Sequence, residues 1–393
     1  MKRLSFKLLS CVLVTLIASA CSTTDAPQQD SDAVINIEAS QLVVTLNGTD
    51  VQATSATLNL ADNTLTLAGV LPANDLVINI TTSPAAEGIT FEGSSLCTPS
   101  INPDARSIAD ILVSVRGSII NGIANIIVRT SQIIEQNRAM VGEWSLINKI
   151  TYSGTYWDQT VESSPLLLRW DVAPNMELLM SQFGAALAYQ NLKLLKLNDN
   201  ATAEITYCPS PKMDMVLPNP DGTIPEPTHN NWVTTEPNQF FWFVKGDRLC
   251  LVPNIYKMLR DRLATIGGNN GDATAQSRAI NRDQIDSIAT VAIESINWMR
   301  DFAKQWAAPG LSFKYTLDGD NLAIYWDKEM LDPIMQLDCI FTFLQSKIDA
   351  IEDEETAGMI NMLLQFAGMQ SITDLPDLWQ NTNEFYLALN FRR

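Results

Sequence analysis

Ile111-Leu-Val-Ser-Val-Arg-Gly-Ser-Ile-Ile-Asn-Gly-Ile-Ala-Asn-Ile-Ile-Val-Arg-Thr130 decides how the first third of this chain folds. Ile108, Ile111, Leu112, Val115, Ile119, Ile123, Ile126 and Ile127 recur at helical spacing. The side chains are nonetheless β-branched almost throughout, and Gly117 and Asn121-Gly122 interrupt the run. As a hairpin, Ile111, Val113, Val115, Gly117 and Ile119 share one face, and Ser114, Arg116 and Ser118 the other. Asn-Gly then supplies the two positive-φ positions of a type I′ turn. The hairpin is the favoured reading, with Ile123 to Thr130 as its second strand.

Upstream, short β-rich runs lie between turn residues. Gln41 to Leu46 leads to Asn47-Gly48, Ala56 to Leu60 and Thr64 to Ala68 flank Ala61-Asp62-Asn63, and Leu76 to Thr81 and Ile89 to Glu92 follow. This succession, from Val43-Val44-Thr45-Leu46-Asn47-Gly48 to Phe91-Glu92-Gly93 and the hairpin, resembles the calycin-like β-barrel domain of bacterial lipoproteins. The resemblance covers about residues 38 to 131 and rests on strand order and turn chemistry. It implies a lipocalin-related barrel and no diagnostic catalytic residue.

Aromatic residues place a boundary after this region. Every Trp and Tyr lies beyond residue 143, whereas 33–138 holds the single aromatic Phe91. Two such core vocabularies predict separately packed domains, at 38–136 and 140–393. In the second, Val141-Gly142-Glu143-Trp144 resembles the Gly-x-Trp opening of lipocalin-type barrels, where the indole plugs one barrel end. Strands are expected at Leu166 to Trp170, Leu192 to Leu197, Ala203 to Tyr207, Gln239 to Val244, Arg248 to Val252, Leu311 to Leu317, Leu322 to Trp326 and Phe385 to Phe391. Tight turns at Asn198-Asp199-Asn200, Lys245-Gly246-Asp247 and Asp318-Gly319-Asp320-Asn321 make them antiparallel.

Helices are expected at Met176 to Tyr189, Ile255 to Leu263, Arg282 to Trp306 and Thr356 to Gly368. Another is expected from Asp332-Pro333, read as an N-cap followed by the first helical residue. Gly267 to Asp272 reads as a linker, and Pro209 to Pro237 as a long proline-rich loop. The fold class is α+β: an N-terminal antiparallel calycin-like β-barrel, then a larger antiparallel β domain with inserted helices, itself a candidate second barrel.

The N-terminus reads as an export signal. Lys2, Arg3 and Lys7 precede an apolar stretch from Leu8 to Ile17 that is too short to span a bilayer. Ala18, Ser19 and Ala20 lead into Cys21, resembling the lipobox of lipoproteins, with Ala18 where that family usually has Leu. Residues 1–20 are therefore expected to be removed, Cys21 to carry lipid, and 21–37 to form a disordered tether. Ser22 follows Cys21, where similar lipoproteins retained at the inner membrane have aspartate, which implies the outer membrane; periplasmic and surface-facing orientations stay open.

Loss of the three signal cations takes the net charge from −18 to −21, which disfavours nucleic-acid binding. Cys97, Cys208, Cys250 and Cys339 match no zinc spacing and read as mostly buried thiols, with one disulfide open. His229, the single histidine, excludes His-His metal sites, and no GxSxG or SxxK accompanies it. Asp318-Gly319-Asp320 lacks the oxygen donor and glycine an EF-hand needs at 322 and 323. No catalytic, metal or cofactor site is assigned. Trp157, Trp232 and Trp379, in loop-like surroundings, are the candidate ligand contacts. The functional expectation is non-catalytic binding of a small apolar or amphipathic ligand by a membrane-tethered protein. A structural or interaction role in the envelope, with its protein partner unidentified, and surface glycan binding are the alternatives.

Overall fold

The computed structural model describes residues 34–72, 75–85, 88–101, 110–133, 135–154, 160–209, 217–227, 231–255, 257–258, 309–351 and 354–393. Cys21, the signal, Trp157, His229, the linker at 267–272 and the helix expected from Arg282 lie outside these residues.

The opening hairpin forms as read. Strands β8 (Ile111–Ile120) and β9 (Ile123–Gln132) pair antiparallel over ten residues each, and Asn121 and Gly122 take φ of 51° and 78°. Alternation puts Val113, Val115, Ala124, Ile126 and Val128 on the buried face. The other strands of this region are β1 (Val34–Glu38), β2 (Leu42–Leu46), β3 (Thr49–Val51), β4 (Ser55–Asn59), β5 (Thr64–Ala68), β6 (Leu76–Ala85) and β7 (Gly88–Cys97). They make a nine-stranded curled sheet in the order β1-β4-β5-β6-β7-β8-β9-β2-β3.

Three expectations are corrected here. Strand β1 begins inside the stretch 21–37 read as tether, because Ile35 and Ile37 turn towards the core. The terminal strands β1 and β3 do not pair with each other among the described residues, so this sheet is an open half-barrel. It is also not wholly antiparallel. Residues Ala39–Gln41 carry the chain across to the far edge, where β2 runs parallel to β9.

Glycine permits the curl at Gly117. A Cβ there would stand 2.6 Å from Asn125 O and 2.6 Å from the ring of Phe91 on the neighbouring strand. Gly117→Val is therefore expected to cost about 1–3 kcal/mol, read as a lowered urea midpoint; an unchanged midpoint would show that the ring moves aside freely.

The second region closes. Strands β10 (Gly142–Leu146), β14 (Leu192–Leu197), β15 (Thr202–Tyr207), β17 (Phe240–Lys245), β18 (Arg248–Pro253), β19 (Leu311–Asp318), β20 (Asn321–Asp327) and β21 (Phe385–Arg392) pair each with the next. Pairing of β21 with β10 completes an eight-stranded antiparallel barrel. Strand β13 (Leu166–Trp170) pairs with β21 beyond the end of β10, while β11 (Thr151–Ser153) and β12 (Thr160–Ser163) form a separate hairpin. Strand β16 (Val233–Thr234) adds to β15.

Contrary to the expectation of separately packed regions, outward-facing residues of the barrel complete the core of the half-barrel. On β17, Trp242 and Val244 face the barrel interior, whereas Phe241 and Phe243 pack among Leu46, Leu58, Ile78 and Ile126 of the half-barrel. On β18, Leu249 and Leu251 face inward, and Cys250 and Val252 outward. The concave face of the open sheet thus closes over the outer wall of the barrel. Turn residues stitch the rim: Asn47 Nδ2 donates to Asn238 Oδ1 at 3.0 Å, Asn238 Nδ2 to Leu46 O at 2.9 Å, and Gln132 Nε2 to Trp242 O at 2.9 Å.

Helices cover one end of the barrel. The expected helix at Met176 to Tyr189 is a helical run of Pro174–Leu179, a π-helical turn Met180–Gly184 and Ala185–Asn191. Asp332 is not a cap. The helix Lys328–Met335 starts earlier, with Asp327 accepting from Met330 N at 3.0 Å, and carries Pro333 inside its last turns. A second helix, Asp338–Asp349, follows the break, and then Glu354–Phe366 and Leu375–Gln380.

Candidate functional site

The barrel interior is occupied by the chain's own side chains. Trp144, Trp242, Leu197 and Leu249 are wholly buried, and Leu195, Leu322, Ile324 and Phe391 nearly so. Trp144 donates Nε1–H to Met140 O at 2.8 Å, with the Arg393 guanidinium 4.2 Å above its ring. Arg393 in turn donates to Ala139 O and Val141 O at 2.7 and 2.8 Å. Under the helical cap, Trp170, Trp379 and Phe385 form an aromatic cluster, with centroids 5.6 Å apart for Trp170–Phe385 and 4.9 Å for Trp379–Phe385.

Part of the long proline-rich loop is pinned across the barrel wall. Ile224 is buried and its N–H donates to Asn148 O at 2.7 Å, while Tyr189 donates to the Glu226 carboxylate. Burial, then that hydrogen bond and the carboxylate charge, push the Tyr189 hydroxyl above its ordinary range.

The structure separates the tryptophans singled out as ligand contacts. Trp232 is half-buried beside β16, with Lys193 Nζ 5.7 Å from its ring centroid. Trp379 is only 4 % exposed and belongs to a helix. Its indole N–H goes to Asp332 Oδ1 at 2.8 Å, and Lys328 Nζ sits 5.3 Å over its ring. Trp379 thus looks loop-like in sequence because its helix is only six residues long.

Trp379 also forms part of the floor of an open cleft of about 490 Å³ between three of the capping helices. Its walls carry Lys328, Asp332, Gln336, Asp338 and Gln380, with Met335 beneath. Lys328 donates to Asp332 at 2.7 Å. Although partial burial opposes it, the hydrogen bonds from Lys328 and Trp379 hold the Asp332 carboxyl below its usual range. Such a cleft offers carboxylate and amide groups for hydrogen bonding, and its described lining contains no nucleophile paired with a base. The i, i+4 spacing of Lys328 and Asp332 was the signal available in sequence; reading Asp332 as a cap concealed it.

One further acidic group is buried at the seam. Asp110 is 6 % exposed, accepts from Thr98 Oγ1 at 3.3 Å, and is raised by burial against the opposing effects of Lys245 and Thr98. Cys97 and Cys250, both with free thiols, are pushed up to about 12 and about 11, chiefly by burial. Both are therefore poor nucleophiles at neutral pH. Because the folded state holds the Asp110 proton more tightly than the unfolded chain does, this group's stabilisation is complete below the ordinary carboxyl range and is lost as pH rises through its raised value. Asp110→Asn is expected to be the more stable form at neutral pH, with the difference vanishing below about pH 4. Thermal midpoints of both proteins across that range check it; a variant less stable than the parent at neutral pH would refute it.

Comparison of the chain with protein-family models, curated proteins and solved structures gives no match.

Proposed function

We propose that this chain is an exported, lipid-anchored envelope protein whose calycin-like barrel is a filled, non-catalytic scaffold for interactions. The observation that carries this reading is the occupied interior. A carrier of a greasy guest needs enclosed free space; burial of the bulky side chains Trp144, Trp242 and Phe391 in the barrel core, and of Trp170 and Trp379 beside it, supports a filled interior instead. Eight strands each paired with the next, opened by Gly142-x-Trp144, support assigning the calycin likeness to the second region.

Native mass spectrometry of protein purified from its host tests the scaffold reading. We expect the polypeptide with its lipid on Cys21 and no other mass; a non-covalently held, lipid-sized companion would restore the carrier. The anchor has its own test: Cys21→Ser is expected to move the protein from the membrane fraction to the soluble fraction, and continued sedimentation with membranes would refute lipidation. Ser22 after Cys21 supports the outer membrane as its address.

The cleft beside Trp379 favours a second reading, a small polar ligand held outside the barrel. Sugar stacking on Trp379 is poorly served, because Phe385 and Lys328 already lie against its ring.

A further inference from the structure

We propose that Asn121 is a site of spontaneous deamidation, from which the chemically equivalent Asn47 is protected by the seam between the two sheets. Glycine after asparagine leaves the following backbone nitrogen with no side chain to hinder its approach. Asn-Gly occurs three times in the chain, at 47–48, 121–122 and 270–271, the last outside the described residues.

The step is a ring closure. The backbone nitrogen of Gly122 gives up its proton and attacks Cγ of Asn121. The Cγ–Nδ2 bond breaks, and the side-chain nitrogen leaves as ammonia with that proton. Water, the sole co-reactant, then opens the cyclic imide at one of its two carbonyls, giving aspartate or isoaspartate. Either product places a carboxylate where the turn had a neutral amide, and isoaspartate also routes the main chain through the side-chain carbon.

The backbone does not distinguish the two described turns. Asn47 and Gly48 take φ of 50° and 82°, Asn121 and Gly122 51° and 78°. Their surroundings do. Asn121 and Gly122 are both exposed, and a Cβ on Gly122 would meet only Gln41 Nε2, at 3.7 Å. The pair that closes this turn, Ile120 and Ile123, is 39 and 50 % exposed, so little packing resists opening of the hairpin tip.

Asn47 is held on every side. Its Nδ2 donates to Thr130 Oγ1 and Asn238 Oδ1, each at 3.0 Å, and its Oδ1 accepts from Thr130 N at 3.0 Å. Its own N–H donates to Val128 O at 2.9 Å, and Leu46, which closes the turn with Thr49, is wholly buried. Swinging Cγ of Asn47 onto the Gly48 nitrogen breaks the side-chain bonds and strands polar groups of the buried Thr130 and Asn238. Loss of two ordinary hydrogen bonds on the way to the ring corresponds to about a tenfold slower reaction.

Peptide mapping by mass spectrometry tests the assignment on the full folded chain in mildly alkaline buffer, with the chain unfolded in guanidinium chloride as reference. Folded, Asn121 is expected to deamidate at least about tenfold faster than Asn47. Unfolded, the two are expected to react at comparable rates, because glycine follows both. Equal rates in the folded chain overturn the proposal, as does a faster Asn47. So does an Asn121 that stays intact for as long as the unfolded chain takes to convert, or a difference between the two positions that persists undiminished in denaturant, which would assign it to local sequence.

Discussion

Replacing Phe243 by alanine is expected to lower the unfolding free energy by about 3–5 kcal/mol and to weaken the half-barrel and the barrel together. Phe243 belongs to β17 yet has no exposed surface, because it projects from the barrel into the core of the other sheet. Its removal leaves a hole bounded by rigid strands of both layers, which relaxes little. The chain provides two separate reporters. All nine tryptophans lie beyond residue 143, so indole fluorescence reads the second region alone, and amide exchange in β8 and β9 reads the first. Both transitions should shift by the same amount in denaturant. If the β8–β9 amides keep their protection while fluorescence shifts, the two sheets are independent and the shared core is energetically idle.

The second large effect is expected at Trp144. Trp144→Ala removes a wholly buried indole and its hydrogen bond to Met140 O, for a loss of about 3–5 kcal/mol. Arg393→Ala removes the guanidinium over that ring together with two hydrogen bonds to backbone carbonyls, for about 1–3 kcal/mol. The two losses should not add. Without the indole, the arginine loses the surface that holds it over those carbonyls, so the double variant is expected to be at least about 0.5 kcal/mol more stable than the sum predicts. Strict additivity in urea denaturation would show that the stacking contact does not contribute.

The curled sheet brings a liability the same physics makes visible. Its terminal strands β1 and β3 have no partner strand on one side among the described residues, and edges of this kind invite pairing with other chains. Shortness limits this at β3, which has three residues. At β1 the exposed Glu38 supplies a charge.

Local chemistry determined much of this protein from sequence alone. Asn121-Gly122 and the alternation from Ile111 to Thr130 were enough to decide hairpin over helix, because positive φ and period-two burial are properties of single residues and near neighbours. Most barrel strands were legible for the same reason, and Gly142-x-Trp144 drew attention to a strand whose indole is wholly buried. Tertiary structure alone decided which sheet closes, since closure depends on β21 meeting β10 across more than two hundred residues. It also decided that Phe241-Trp242-Phe243-Val244 serves two cores. A continuous apolar run states that both faces of a strand are buried, but what lies against each face depends on how distant segments pack, and no spacing along the chain records that.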